Sequence, residues 1–182
     1  AADMDGDGFS DIVAASQSSD DVKVFFNDGT GSFPTSATFA SGDGPRNIEV
    51  ADMDGDSQLD IVTANWDNST FSVLLNVGAG SFAAPADYLA SPMSQPYSLC
   101  LTDLNNDTFP DVMLGLYSLS GVNVKLNDGT GAFVADLPSL AVAVGAGPSS
   151  VNAGDLNGDG FEDLVTGDLY NQSVSVILSN GD

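Results

Sequence analysis

The chain has no histidine, a single cysteine (Cys100), two glutamates and only three basic residues, Lys23, Arg46 and Lys125, among 182 residues. Without histidine there is no Ser-His-Asp triad and no imidazole-ligated zinc or iron centre. A lone cysteine has no partner within the chain, and its place in an apolar strand segment marks it as a buried, inert thiol. Three cations against 26 acids leave a net charge of −23. Such a surface repels phosphate, so nucleic-acid binding and attraction to anionic lipid are excluded. No run of 18 apolar residues is present, and no direct membrane insertion is expected. The chain opens inside a repeated motif with no signal segment ahead of it, and the expectation is that the natural N-terminus lies further upstream.

What the sequence has in abundance is aspartate. Of its 24 aspartates, 14 stand in four copies of one nine-residue stretch. The first copy is Asp3-Met4-Asp5-Gly6-Asp7-Gly8-Phe9-Ser10-Asp11, and the others begin at Asp52, Asp103 and Asp155, spaced 49, 51 and 52 residues apart. A period near fifty is a repeat architecture, one supersecondary unit per copy.

Positions 1, 3, 5 and 9 of each copy are carboxylates or amides: Asp3, Asp5, Asp7 and Asp11; Asp52, Asp54, Asp56 and Asp60; Asp103, Asn105, Asp107 and Asp111; Asp155, Asn157, Asp159 and Asp163. These are the hard oxygen ligands that Ca²⁺ takes in its six- to eight-coordinate shell, and position 7 (Phe9, Gln58, Phe109, Phe161) can add a backbone carbonyl. An Asp-Gly surface turn is the alternative for any one copy. Four copies with the same four positions filled argue for up to four Ca²⁺ sites, one per loop, because clustered like charges repel unless a cation joins them. The EF-hand does not fit: it needs Glu at position 12, where this chain has Ala14, Thr63, Leu114 and Thr166.

The flanks alternate with a period of two, the strand signature. Counting each first Asp as zero, offsets 9 and 10 are apolar (Ile12-Val13, Ile61-Val62, Val112-Met113, Leu164-Val165) and define a strand B. Offsets 19, 21 and 23 (Val22, Val24, Phe26 and their counterparts) define a half-buried strand C. A glycine turn follows at Gly29, Gly78, Gly129 and Gly181, and Phe33, Phe82 and Phe133 are expected to open a weaker strand D. Pro45, Pro96 and Pro148 precede a strand A over 47–51, 97–102 and 149–154. Four antiparallel strands in about fifty residues make one blade of a β-propeller. The fold class expected is therefore all-β, a single propeller segment over 1–182 with blade units near 1–40, 45–90, 96–142 and 148–182.

Acidic loops alternating with Val-x-Val-x-Leu-Asn-x-Gly-x-Gly-x-Phe segments, together with Gly145-Ala146-Gly147-Pro148, resemble the FG-GAP/VCBS repeat of integrin α-chain-like β-propellers. The resemblance implies that the A-to-B loops bind Ca²⁺ on one face of the ring and that partners bind the opposite face. There the B-to-C loops carry Trp66, Tyr117 and Tyr170, for which edge packing is the simpler explanation and a ligand-stacking role the alternative.

The expected function is an extracellular, calcium-stabilised binding or adhesion module for a glycan or protein ligand. The alternative is a non-catalytic structural propeller within a larger secreted enzyme or surface protein. No enzyme is expected: a carboxylate pair such as Asp67 and Asp168 could serve glycoside hydrolysis only at the right spacing, and nothing in the sequence marks that pair. A homodimer or a larger parent chain is expected to complete the ring.

Overall fold

The structure is a computed structural model that describes residues 1–133 and 140–179. Gly181 and the stretch directly after Phe133 lie outside the described residues. Every regular element among those described is a strand.

The first sheet runs β1 (Ile12–Ser16), β2 (Asp21–Phe26) and β3 (Thr35–Ala40), with an Ala2–Asp11 bridge at its free edge. The second runs β4 (Pro45–Ala51), β5 (Asp60–Asn65), β6 (Thr70–Leu74) and β9 (Ala86–Leu89), with a hairpin of β7 (Asn76–Gly78) and β8 (Ser81–Phe82) inserted before its last strand. The third is β10 (Pro96–Thr102), β11 (Asp111–Leu116), β12 (Gly121–Lys125) and β13 (Leu140–Ala143); the fourth is β14 (Pro148–Gly154), β15 (Asp163–Asp168) and β16 (Ser173–Ile177). Neighbours within each sheet are antiparallel. The second and third sheets are the A-B-C-D meander that the sequence pattern predicts; the first has B, C and D with A reduced to the Ala2–Asp11 bridge, and the fourth has A, B and C among the described residues.

A single sheet of this size cannot bury both faces, so successive sheets cover one another. Among the described residues three apolar clusters result, one for each pair of neighbouring sheets. Met4, Val22 and Val24 of the first sheet meet Ile61 and Leu74 of the second. Met53, Phe71 and Val73 of the second meet Val112, Leu114 and Phe133 of the third. Met113 and Val122 of the third meet Val151 and Leu164 of the fourth. The repeat offsets sort by face. Offsets 1, 10, 19 and 21 point to the following sheet, whereas offsets 9, 22 and 30 point to the preceding one. Strand C is therefore buried on both sides in the middle of the stack, not half-buried: Val73 and Leu74 are both sealed from solvent.

The phenylalanine at offset 30 does not open strand D. Strand D starts later, at Thr35 and Ala86 in the first two sheets. Phe82 reaches the preceding sheet instead, where its ring meets Phe39 edge-on at 4.9 Å. Phe133 does the same against Phe71 at 5.0 Å. An aromatic ring can bury most of its area only by crossing to the next layer, which explains why this residue recurs while the strand beside it varies.

Cys100 is half-buried in the cluster between the third and fourth sheets, and burial pushes its thiol pKa up. An un-ionised, packed thiol is a poor nucleophile.

Phe71 is the largest fully buried side chain among the described residues. Phe71→Ala should cost about 3–5 kcal/mol in urea denaturation, whereas Val77→Ala, at an exposed site in the β7–β8 hairpin, should stay within about 0.5 kcal/mol of the parent.

Candidate functional sites: four acidic loops and an aromatic terrace

Each acidic loop is folded by its own first and last aspartates. The Asp3 carboxylate accepts N–H bonds from Gly6 (2.8 Å), Asp7 (3.2 Å) and Gly8 (2.8 Å). Asp52 repeats this with Gly55, Asp56 and Ser57. Asp155 repeats it with Gly158, Asp159 and Gly160, bonds that hold its carboxyl below the usual range. Curling the chain this tightly puts position 6 in the left-handed region: φ is 92° at Gly8, 72° at Ser57, 81° at Thr108 and 88° at Gly160. Glycine adopts that conformation freely, and a β-branched threonine does not.

The ninth-position aspartates Asp11, Asp60, Asp111 and Asp163 are fully buried. One oxygen of each accepts the backbone N–H of loop position 2 (Met4, Met53, Leu104, Leu156) at 2.8–3.0 Å. The other oxygen accepts the N–H of the residue at offset 24 (Asn27, Asn76, Asn127, Ser179) at 2.7–2.9 Å. One carboxylate thus clamps the end of strand A, the start of B and the end of C. Burial outweighs these bonds in Asp60 and Asp111 and pushes both carboxyls up to about 6.

Among the described residues, two groups of three carboxylates converge with oxygens within 4.8 Å of one another: Asp3, Asp5 and Asp11, and Asp52, Asp54 and Asp60. Desolvation, with added repulsion from Asp7, Asp11 and Asp3, raises the Asp5 carboxyl. Asp7 and Asp56 are not members of these groups; each accepts the N–H two residues on, from Phe9 and Gln58. The Gln58 amide also caps Asp56 at 2.8 Å. Loops three and four substitute an amide at position 3, and its nitrogen bonds to the next carboxylate: Asn105 to Asp107 at 2.9 Å and Asn157 to Asp159 at 2.8 Å. A divalent ion fits the first two loops best, where three acceptor-only groups converge; in the other two, the Asn side chain would have to present its oxygen. Phe9 and Phe109 lie with their rings against Gly29 and Gly129, so that at position 7 only the backbone carbonyl is free to face the loop.

Two residues that local sequence reading passes over tie the loops together. The Asn76 side-chain amide donates to Met4 O in the preceding loop (2.9 Å) and to Leu59 O (3.1 Å). Asn127 likewise bridges to Met53 O (2.8 Å) and Pro110 O (3.1 Å). Each asparagine is thus a latch from one blade to the loop before it. Its recurrence at offset 24 was visible, but its reach across blades was not.

At the opposite end of the sheets, one strand B length away (about 20 Å for six residues), the aromatic side chains converge. Trp66 and Tyr117 lie 5.2 Å apart by ring centroids, Tyr117 and Tyr170 5.2 Å, and Tyr97 stacks on Tyr117 at 5.6 Å. The hydroxyls of Tyr170 and Tyr117 are hydrogen-bonded. The Arg46 guanidinium covers Trp66 at 4.7 Å and Tyr97 at 4.3 Å. Sequence spacing picked out Trp66, Tyr117 and Tyr170 but not Arg46 or Tyr97. The reason is a β-bulge after each proline: pairing passes from Pro45 to Asn47 and from Pro96 to Ser98, leaving Arg46 and Tyr97 unpaired. A bulge re-aims the extra side chain, here onto the terrace. Beside it, Asp67, Asn68, Ser69, Leu89, Pro92, Met93 and Gln95 line an open depression of about 640 Å³.

A family model for the FG-GAP-like repeat matches residues 3–63, 52–114 and 103–166. The chain belongs to the FG-GAP-like repeat family. Each matched FG-GAP-like unit runs from one acidic loop to strand B of the following sheet, and so spans two successive loops and the chain between them. Its four sheets have the architecture of a β-propeller. In structure the chain is similar to an Agrocybe aegerita lectin that specifically recognises non-reducing terminal N-acetylglucosamine, with 25% identity and a TM-score of 0.65 over 100% of this chain and 48% of that one. It is also similar in fold to BBS1N, solved in complex with ARL6DN, with 15% identity and a TM-score of 0.60 over 97% of this chain and 55% of that one. The chain spans about half the length of these solved structures.

Two outcomes follow for the loops. Thr108→Gly should stabilise the protein by about 1–2 kcal/mol through relief of backbone strain, read from the urea midpoint. In chelator, stability should fall as pH rises from 3.8 to about 6. Over that window the folded state holds protons on Asp60 and Asp111 that the unfolded state has released. Asp28, Asp128 and Asp155, whose carboxyls are lowered by hydrogen bonds, act in the opposite sense and below 3.8. Urea titrations at a series of pH values would show the decline; a metal-free stability that rises across the window would contradict the assignment.

Proposed function

We propose that this protein is a calcium-stabilised, non-catalytic binding module of the extracellular space, and that its ligand is a glycan held on the aromatic terrace. The observation that carries the reading is the continuous array of Arg46, Trp66, Tyr97, Tyr117 and Tyr170, drawn from three blades and set at the end remote from the acidic loops. Aromatic faces with polar edges suit sugar rings: the C–H face of a pyranose packs on the π-face, and neighbouring polar groups bond to its hydroxyls. Asp67, Asn68 and Gln95 in the adjoining depression offer both donors and acceptors for that purpose. The similarity to a lectin at 25% identity supports the same reading.

Calcium's part is structural. Asp3, Asp5 and Asp11, with Asp52, Asp54 and Asp60, would hold the ion, which would neutralise carboxylates that the fold forces together. The residues themselves shape the loop, through the N–H bonds to Asp3 and Asp52 and the clamp of Asp11 and Asp60. Extracellular Ca²⁺ far above the site Kd would add about 3–4 kcal/mol per site by mass action.

A glycan array followed by calorimetry on the best hit tests the ligand. Trp66→Ala and Tyr97→Ala should each weaken binding by about ten-fold, the loss of one aromatic contact, with the melting temperature nearly unchanged. Failure of the folded protein to bind any glycan would leave the structural-propeller alternative. Independently, a chelator should lower the melting temperature by more than about 10 °C, and an unchanged melt would remove calcium from the account.

A further inference from the structure

The same repeat position can be buried in one blade and exposed in another. Val174 and Val176 of β16, at offsets 19 and 21, are 67% and 52% exposed. Their counterparts Phe71 and Val73 are 0% and 1% exposed because the third sheet covers them. The other side of the stack mirrors this. Ile12 on β1 is 43% exposed, whereas its counterpart Ile61 is sealed beneath the first sheet.

We propose that these two faces are one heterologous interface: the fourth-sheet face of one copy of the chain seats on the first-sheet face of a second copy, head to tail. The argument is continuity with the interfaces inside the chain. Three times the residues at offsets 10, 19 and 21 of one sheet receive those at offset 9 of the next, and the fourth sheet presents the same pattern to solvent.

The finer fittings are present too. Gly80 and Gly131 lie against Phe26 and Leu75, the offset-23 residues of the preceding sheet; their counterpart Gly31 has nothing within 4 Å of an added Cβ, and the offset-23 residue Leu178 is exposed. Asn76 and Asn127 latch to the preceding loop, but among the described residues the Asn27 amide donates to its own loop, at Ser10 O. In the assembly Leu178 seats at Gly31, and the Asn27 amide reaches Leu156 O of the second copy. Lys23, one of three cations in a chain of net charge −23, stands on the first-sheet face, paired across strands with Ala14. It favours an acidic partner such as this chain.

Head-to-tail contacts close into rings when the rotation allows and extend into longer assemblies when it does not. Either product carries the proposed contact. Light scattering of the whole chain across a dilution series in calcium should give twice 18.5 kDa or a higher multiple. A monomer at every concentration would overturn the proposal and leave both faces to further repeats of a longer protein. The decisive arm uses two blocked variants, Val174→Asp/Val176→Asp and Ile12→Asp, both at exposed positions and checked for folding by their melting curves. Each variant alone should run as a monomer. An equimolar mixture should restore a dimer, since one variant keeps a free first-sheet face and the other a free fourth-sheet face. Association of either variant with itself, or no association of the mixture, would rule out the head-to-tail contact.

Discussion

The structure depends on a buried carboxylate used as a three-way clamp. Asp11, Asp60, Asp111 and Asp163 each receive two backbone N–H groups, one from the end of strand A and one from the end of strand C. The same bond that closes the acidic loop therefore joins three strands of the blade. Ionised carboxylates are costly to bury, and two N–H bonds do not offset that cost in Asp60 and Asp111, whose carboxyls rise to about 6. A proton can supply the missing charge, and so can a cation. With Asp3 and Asp5, or Asp52 and Asp54, converging on the clamp, the proposed calcium ion would supply that charge at neutral pH.

The clamp also sets how blades meet. By fixing the loop, it turns Met4 and Met53 into the clusters shared with the following blade. The backbone carbonyls of those methionines accept from Asn76 and Asn127 of that following blade. Loop, core and latch are thus parts of one device at the first two interfaces, whereas Ser179 stands at the latch position of the fourth unit. Stability in such an array is a sum of blades and of nearest-neighbour interfaces, and the interfaces here contain nearly all the large buried side chains.

The sequence disclosed what is local. The acidic loops, the alternation of strands B and C and the fifty-residue period all lie in short windows, and together they point to the antiparallel blades. What stayed hidden acts between blades or through a break in regular pairing. Met4 and Met53 each stand between two aspartates in an acidic loop, with no periodicity to announce that they are core. Phe82 and Phe133 look like strand starts because an aromatic after a glycine turn usually is one, yet they serve as wedges into the preceding sheet. Arg46 and Tyr97 join the terrace only because a bulge interrupts the strand at that residue. Periodicity cannot reveal a side chain whose direction is set by the loss of periodicity.

Calcium titration calorimetry of the metal-stripped chain at pH 6 and again at pH 7.5 reaches the central claim most directly. If a cation replaces a proton at the clamp, saturable binding at two or more sites should release protons at pH 6, seen as heat that changes with the buffer's ionisation enthalpy. That release should fade at pH 7.5, above the level to which Asp60 is raised, and Asp60→Asn should remove one site. Absence of saturable calcium heat at both pH values would contradict the account.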